Sequence, residues 1–140
     1  MLEAIIAQVT TTFRWGLYDR DPLPTWTRGR LTLLGDAAHP MLPHAGQGAN
    51  QAIEDAMTLA AILSRADQAS APRALLIYEL LRRERTAKVQ HIARVNGARF
   101  DASGSDLADR DRQLAGQLQE RAWIWTYDAE KEASSAVRGL

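Results

Sequence analysis

The fold turns on Gly35-Asp36-Ala37-Ala38-His39-Pro40-Met41-Leu42-Pro43-His44-Ala45-Gly46-Gln47-Gly48-Ala49-Asn50. A short apolar run, Arg30 to Leu34, enters this stretch, which predicts a buried strand ending at Gly35. A glycine there lets backbone and ligand approach closely. Asp36 follows at the carboxyl end of that strand, where ligands of α/β sheets usually sit. An ionised Asp only accepts hydrogen bonds, so it suits the hydroxyls of a polyol or sugar and repels phosphate. Gly46-Gln47-Gly48 then delivers the chain to a helix start, whose free N–H groups and dipole favour an anion or an electron-rich carbonyl. Asn50, in the first turn, adds an amide. The residue types therefore describe either a ligand-binding strand–loop–helix or an ordinary capped turn.

Outward from this loop, the spacing predicts a helix from Gly48 or Ala49 to about Arg65, with Ile53, Ala56, Met57, Ala60 and Leu63 on its apolar face. Glu54 and Asp55 fall in its first two turns, where the dipole favours acids. Asp67 to Ala71 reads as a linker. Pro72 starts a long helix to about Asn96-Gly97, striped by Leu75, Tyr78, Leu81, Val89 and Ile92. On the other side, Leu2 to Val9 has helical spacing, and the β-branched and aromatic run Thr11 to Leu17 suits a strand. Pro22 and Pro24 require a loop. Phe100 to Asp106 reads as loop, Leu107 to Tyr127 as further helix, and Glu130 to Leu140 as a polar tail. The fold class expected is α+β, mostly helical with about two strands. Two strands flanked by a Pro-rich loop and helices make a poor self-contained sheet, so the chain is either an α-rich domain with a small hairpin or part of something larger.

Composition narrows the function. The chain has 140 residues and no cysteine, which excludes disulfide scaffolds, thiol catalysis and iron–sulfur clusters. Seventeen basic residues balance seventeen acidic ones, so the overall charge calls for neither nucleic acid nor an anionic membrane. No apolar run approaches the roughly 18–20 residues of a membrane span. The first residues lack the basic region of a secretory signal, and a cytoplasmic location is expected.

With those residues in view, the Gly35–Asn50 stretch resembles the Gly-Asp motif of the flavin-dependent aromatic hydroxylases, FAD monooxygenases that use NADH or NADPH. The similarity extends to Trp15-Gly16-Leu17-Tyr18-Asp19-Arg20-Asp21-Pro22, Trp26 to Arg30, Gln51-Ala52-Ile53-Glu54-Asp55-Ala56, Tyr78-Glu79 with Arg82-Arg83, and Trp125-Thr126-Tyr127-Asp128-Ala129-Glu130. These look like the salicylate-hydroxylase-like branch, over roughly residues 10 to 130. The resemblance implies a place inside a larger glutathione-reductase-like FAD-binding α/β fold. Residues 1–29 would end the substrate-domain sheet and connecting loop. Residues 30–66 would be the Gly-Asp strand–loop–helix of the FAD-binding domain, and 67–140 a C-terminal helical region.

Carried over by position, Gly35 and Asp36 would meet the ribityl chain of FAD, with Asp36 bonding a hydroxyl. Pro43, Gly46, Gln47 and Gly48 would line the isoalloxazine ring. Backbone N–H groups of Ala49 and Asn50 would face its N1–C2 carbonyl edge, and His44 would lie on the substrate side. The complete enzyme would take an aromatic substrate and oxygen. The family's Gly-x-Gly-x-x-Gly fingerprint, which holds the ADP part of FAD, and its middle Asp-Gly motif do not occur in this sequence. The chain is therefore expected to be the C-terminal part of such an enzyme, inactive alone. One half of a split monooxygenase, completed by a fingerprint-bearing polypeptide, and a stand-alone helical binding module without cofactor remain as alternatives.

Asp36, His39 and His44 are not spaced as a helical metal pair and lie in a Pro-broken loop, so no metal site is assigned. His91 is expected exposed or packed on the long helix. Arg82, Arg83, Arg85, Lys88, Arg94 and Arg99 make that helix locally basic. Without aromatic interleaving they read as a solvated face or as salt bridges to a missing half, not as a nucleic-acid surface. Trp15, Trp26, Trp123 and Trp125 are expected in the core or an interface.

Overall fold

The computed structural model describes residues 2–101 and 120–137. Two helices organise it. Helix α2, Gly48–Leu63, packs on the long helix α3, Ala71–Phe100. Their linker is closed by a reciprocal pair: Ser70 N–H donates to Asp67 Oδ1 (2.8 Å) and Asp67 N–H to Ser70 Oγ (2.9 Å). Pro72 then sits in the first turn of α3, where a missing N–H costs nothing.

Against α3 lies an antiparallel hairpin, β1 (Thr27–Arg28) and β2 (Leu31–Thr32), in register Thr27 to Thr32. Gly29, at φ +60°, takes the first position of its two-residue turn, where glycine is favoured. The hairpin is tied down by side chains of α3. Glu79 accepts from the backbone of Trp26 (3.0 Å) and Thr27 (2.8 Å), and the Tyr78 hydroxyl donates to Leu33 O (3.1 Å). Trp26, Ala38, Ile62, Ala74, Tyr78, Ala133 and Val137 form the core. Within it Trp26 packs on the rings of His39 (5.4 Å) and Tyr78 (5.9 Å). Among the described residues the chain is thus mostly helical with one two-stranded sheet.

Several expectations are corrected. Helix α1 spans only Leu2–Ile6, not Leu2 to Val9, and Ile5, Ile6 and Val9 are exposed. Thr11 to Leu17 has no strand pairing, because among the described residues no ladder reaches it, and Phe13 and Trp15 stand in solvent. The Arg30–Leu34 run contributes two paired residues rather than a buried strand, and Leu31 is 67% exposed. The face of α2 that turns inward is Gln51, Asp55, Thr58 and Ile62, whereas Ile53, Met57 and Leu63 point out. Arg82 and Arg85 are buried, not solvated. The tail from Glu130 folds as a helix, Ala129–Ala136, capped by Asp128, whose carboxylate accepts from Lys131 N–H. Its Ala129, Ala133 and Val137 recur every four residues and are small enough to seat it closely on α2.

Of the tryptophans, Trp26 is in the core while Trp15 and Trp125 are exposed. His91 is exposed. The readings for residues 102–119 lie outside the described residues. No described helix is long and apolar enough to cross a membrane.

Candidate functional site

The Gly-Asp turn begins with a backbone that glycine suits. Gly35 has φ +60°, and a Cβ there would meet Ala52 Cβ at 3.3 Å. Its carbonyl accepts from the N–H groups of both Ala38 and His39, each at 2.9 Å, winding Gly35–Ala37 into one 3₁₀ turn. Gly35 is buried, but Asp36 beside it is exposed. Among the described residues no group pairs with the Asp36 carboxylate. In a turn so closely bonded, that leaves its acceptors available.

Beyond it, Pro43–Ala45 forms a second 3₁₀ turn closed by Gly46 N–H to Pro43 O (2.9 Å). Gly46 is left-handed (φ +62°), and a Cβ there would meet nothing within 4 Å. Conformation, not crowding, selects glycine here. Gln47 is buried and its carbonyl takes the first helical bond, from Gln51 N–H (2.9 Å), but its side chain does not cap α2. The first-turn N–H groups at Gly48, Ala49 and Asn50 therefore lack both intrahelical and side-chain acceptors, and Ala49 and Asn50 are exposed. An uncapped, accessible helix start carries partial positive charge and oriented donors.

Side chains from elsewhere hold this loop by its backbone. Arg20 donates to the carbonyls of Ala37 and Ala38, Gln90 to Pro40 O (2.8 Å), and Asn96 to His44 O (2.9 Å). Arg20 is itself steadied by its neighbours, because Asp19 and Asp21 both pair with Arg94 of α3. The His44 ring stands edge-on to Phe100 (5.6 Å) and over Gly97, where a Cβ would lie 2.7 Å from it. His44 is thus seated on the end of α3. The structure brings Gly35, Asp36, Pro43, His44 and Gly46 to Asn50 into one continuous turn–loop–helix start.

Behind the loop is a charged cluster that the sequence reading did not assign to the site. Asp55 is fully buried. Its Oδ2 accepts from Gly35 N–H (3.0 Å) and bonds His39 Nε2 (2.6 Å), while Oδ1 accepts from Arg82 Nε (2.7 Å). Arg82 also donates to Glu54 Oε2 (2.6 Å) and to Gln51 Oε1 (2.8 Å). Arg85 forks onto Glu54 through Nε and Nη2, both at 2.8 Å, and its guanidinium lies 3.9 Å from the Tyr127 ring centroid. Burial by itself would push the Asp55 carboxyl up. Hydrogen bonds from His39, Arg82 and Gly35 outweigh it and hold the group below its ordinary value. Glu54 is likewise held down against burial by Arg85 and Arg82. The Tyr78 hydroxyl is pushed far up, by burial and then by the charge of Asp55. A groove of about 500 Å³ between Leu81, Arg85, Trp123 and Tyr127 shares no lining residue with the Gly35–Asn50 loop.

Comparison with known proteins gives this geometry a family. Residues 3–93 match the family model described as "FAD binding domain". A 3-amino-4-hydroxybenzoate 2-monooxygenase of Streptomyces platensis is 44% identical over 128 residues, which are 89% of this chain and 32% of that protein. A salicylate hydroxylase solved as a substrate complex superposes with a TM-score of 0.78 at 40% identity, covering 90% of this chain and 31% of its own. CtdE, solved with FAD and a substrate, superposes at 0.68 with 35% identity, over 84% of this chain and 28% of its own. The chain spans about a third of the length of the relatives it matches. The family model runs from α1 through the Gly-Asp turn, α2 and most of α3, so this chain belongs to the FAD binding domain family, alongside flavin-dependent aromatic monooxygenases.

Proposed function

We propose that this chain carries the flavin-ring side of the FAD site of an aromatic-ring monooxygenase. The observation that carries the reading is the pairing of two unmet hydrogen-bonding sets along one loop: the exposed Asp36 carboxylate and the uncapped, exposed N-terminus of α2. They match the two ends of a ribityl-flavin in kind. A carboxylate accepts from polyol hydroxyls, so Asp36, reached through Gly35, holds the ribityl chain. The amides of Ala49 and Asn50 donate to the carbonyl edge of the ring, where negative charge gathers on reduction. Pro43, Gly46, Gln47 and Gly48 line the ring, and His44 stands on the substrate side. In the regional terms of the resemblance, residues 30–66 supply the cofactor strand–loop–helix, 1–29 belong to the end of the substrate-domain sheet and its connecting loop, and 67–140 are the C-terminal helical region.

Bound FAD, reduced by NADH or NADPH, supplies the oxygen chemistry that hydroxylates an aromatic substrate. The residues of this chain orient the cofactor and stabilise its reduced form electrostatically. The Gly-x-Gly-x-x-Gly fingerprint is not among these residues, so turnover is assigned to this chain combined with a fingerprint-bearing region, and the chain alone is inactive.

The test is a fluorescence titration of FAD into the purified chain, alone and mixed with a polypeptide carrying the fingerprint region of a relative, with Asp36→Ala in parallel. Saturable binding in either setting that Asp36→Ala weakens at least tenfold supports the reading. Binding that Asp36→Ala leaves unchanged overturns it. So does a folded chain that binds FAD in neither setting.

A further inference from the structure

Asp36 is presented by a turn only a few residues long, and something must hold that turn against the pull of a ligand. The turn has two ends, Gly35 and His39, and a single carboxylate grips both. Asp55 Oδ2 accepts the Gly35 N–H at 3.0 Å and bonds His39 Nε2 at 2.6 Å, from a position on α2 with no solvent exposure. The other oxygen of Asp55 is taken by Arg82 Nε at 2.7 Å, and Arg82 is anchored in turn by Glu54 and Gln51. His39 cannot swing away, because its ring is buried against Trp26. None of these groups is exposed to a ligand as Asp36 is, so their action on one must pass through the turn.

From this geometry we infer that Asp55, locked by Arg82, is a positioning residue that clamps the Gly35–His39 turn and so sets the affinity of Asp36 for cofactor hydroxyls. The inference deepens the FAD reading and rests on it for its ligand, but the clamp itself is a property of the apo chain. Bonds to a charged acceptor are the stronger kind. Loss of both bonds from Asp55 to the turn is expected to loosen it by about tenfold in its opening equilibrium, a shift that passes into cofactor affinity at similar size.

The experiment compares the unmodified chain with Asp55→Ala and with His39→Phe, which keeps the Asp55–Arg82 pair and protects the test should Asp55→Ala not fold. Amide hydrogen exchange by NMR reads the turn without any ligand. Exchange at Gly35, Ala38 and His39, in a turn that opens locally, is expected to rise about tenfold in Asp55→Ala and less in His39→Phe, while Val89 and Ala93 of α3 lose no more protection than the fall in global stability measured by urea unfolding accounts for. FAD affinity, measured as above at a temperature where each variant is fully folded, is expected to fall in the same order. Unchanged exchange at the turn in both variants overturns the clamp, as does an equal rise at turn and core amides, which a merely structural role would give. Should Asp36→Ala weaken FAD while a loosened turn leaves affinity untouched, the positioning role fails and the FAD reading stands. A turn loosened as expected in a chain whose FAD affinity is indifferent to Asp36→Ala leaves the clamp standing and removes the FAD reading.

Discussion

Replacing Arg82 by Met tests whether buried charge, more than apolar contact, joins the two main helices. Arg82 is fully buried and donates to Asp55 (2.7 Å), Glu54 (2.6 Å), the Gln51 side chain (2.8 Å) and the Gln51 carbonyl (3.3 Å). Met retains much of the side-chain volume, so the cavity left is small and the loss is chiefly electrostatic. Glu54 keeps both bonds from Arg85 and its side chain is 17% exposed, so its own penalty is modest. Asp55 keeps only Gly35 and His39 and stays buried as an anion. Removing one partner of a buried pair costs about 3–5 kcal/mol, and the residual partners place this case near 3. At this chain length that corresponds to a drop in Tm of roughly 10–15 °C. Urea unfolding of both proteins, followed by circular dichroism at neutral pH, measures it. Adding Asp55→Leu to Arg82→Met should recover part of the loss, because no charge is then stranded. A cost below about 1 kcal/mol, the level of an exposed ion pair, would refute the reasoning. Strict additivity in the double variant would refute it too.

Acid should weaken the same cluster. Asp55 and Glu54 are held below their ordinary values of 3.8 and 4.5 in the folded state, so the unfolded chain binds more protons in that range. Their contribution is complete above about pH 4.5 and is lost as pH falls through the folded values; a urea midpoint that rises with acidification in this window would contradict it. Gly97→Ala should gain helix propensity of about 1 kcal/mol but displace the His44 ring, leaving stability nearly unchanged while the His44 resonances move. In a His44→Ala background the same change should stabilise by about 0.5–1 kcal/mol, and equal gains in both backgrounds would show that no conflict exists. Gly35→Ala should cost more than Gly46→Ala. Each forces Ala into the left-handed region at about 1–2 kcal/mol, but only at Gly35 does the new Cβ press on Ala52, and thermal melts of the two variants rank them.

The loop and the two main helices were legible because their signals are local. Gly46 and Gly48 mark the helix start, Pro72 marks the next, and α2 and α3 begin within a residue or two of where those signs put them. Of the hairpin only the second strand was legible, inside Arg30–Leu34, since each strand is two residues long and the anchoring comes from Tyr78 and Glu79 far along the chain. Following the apolar residues inverts α2: the spacing puts Ile53 and Met57 on the buried face and reads Asp55 only as an acid favoured by the dipole, whereas Asp55 is the residue inside. A signal for the buried cluster did exist. Leu75, Tyr78, Arg82, Arg85 and Val89 are spaced three and four apart, so the two arginines share a core-facing stripe. Two adjacent acids on the preceding helix were the natural counter-charges. The Thr11–Leu17 run shows the converse, a β-rich composition that finds no strand to pair with among the described residues.

The inward-facing acids of α2 and arginines of α3 also act as an angular key. Apolar surfaces in contact tolerate slippage, because attraction proportional to area changes little when one helix turns slightly about its axis. A guanidinium fork does not tolerate it, since its donors lie in one plane and meet carboxylate oxygens only within a narrow range of directions. Successive helix positions differ by about 100°, so a slip of one residue in α2 would swing Asp55 off Arg82 and bring Ala56 or Glu54 round in its place. The Asn50 end of α2 and the Gly35 turn are therefore indexed to the same angle. Surface residues such as Ile53 and Met57 can drift in sequence without turning the helix, whereas Asp55 and Arg82 cannot be exchanged singly without losing the alignment of the loop they support.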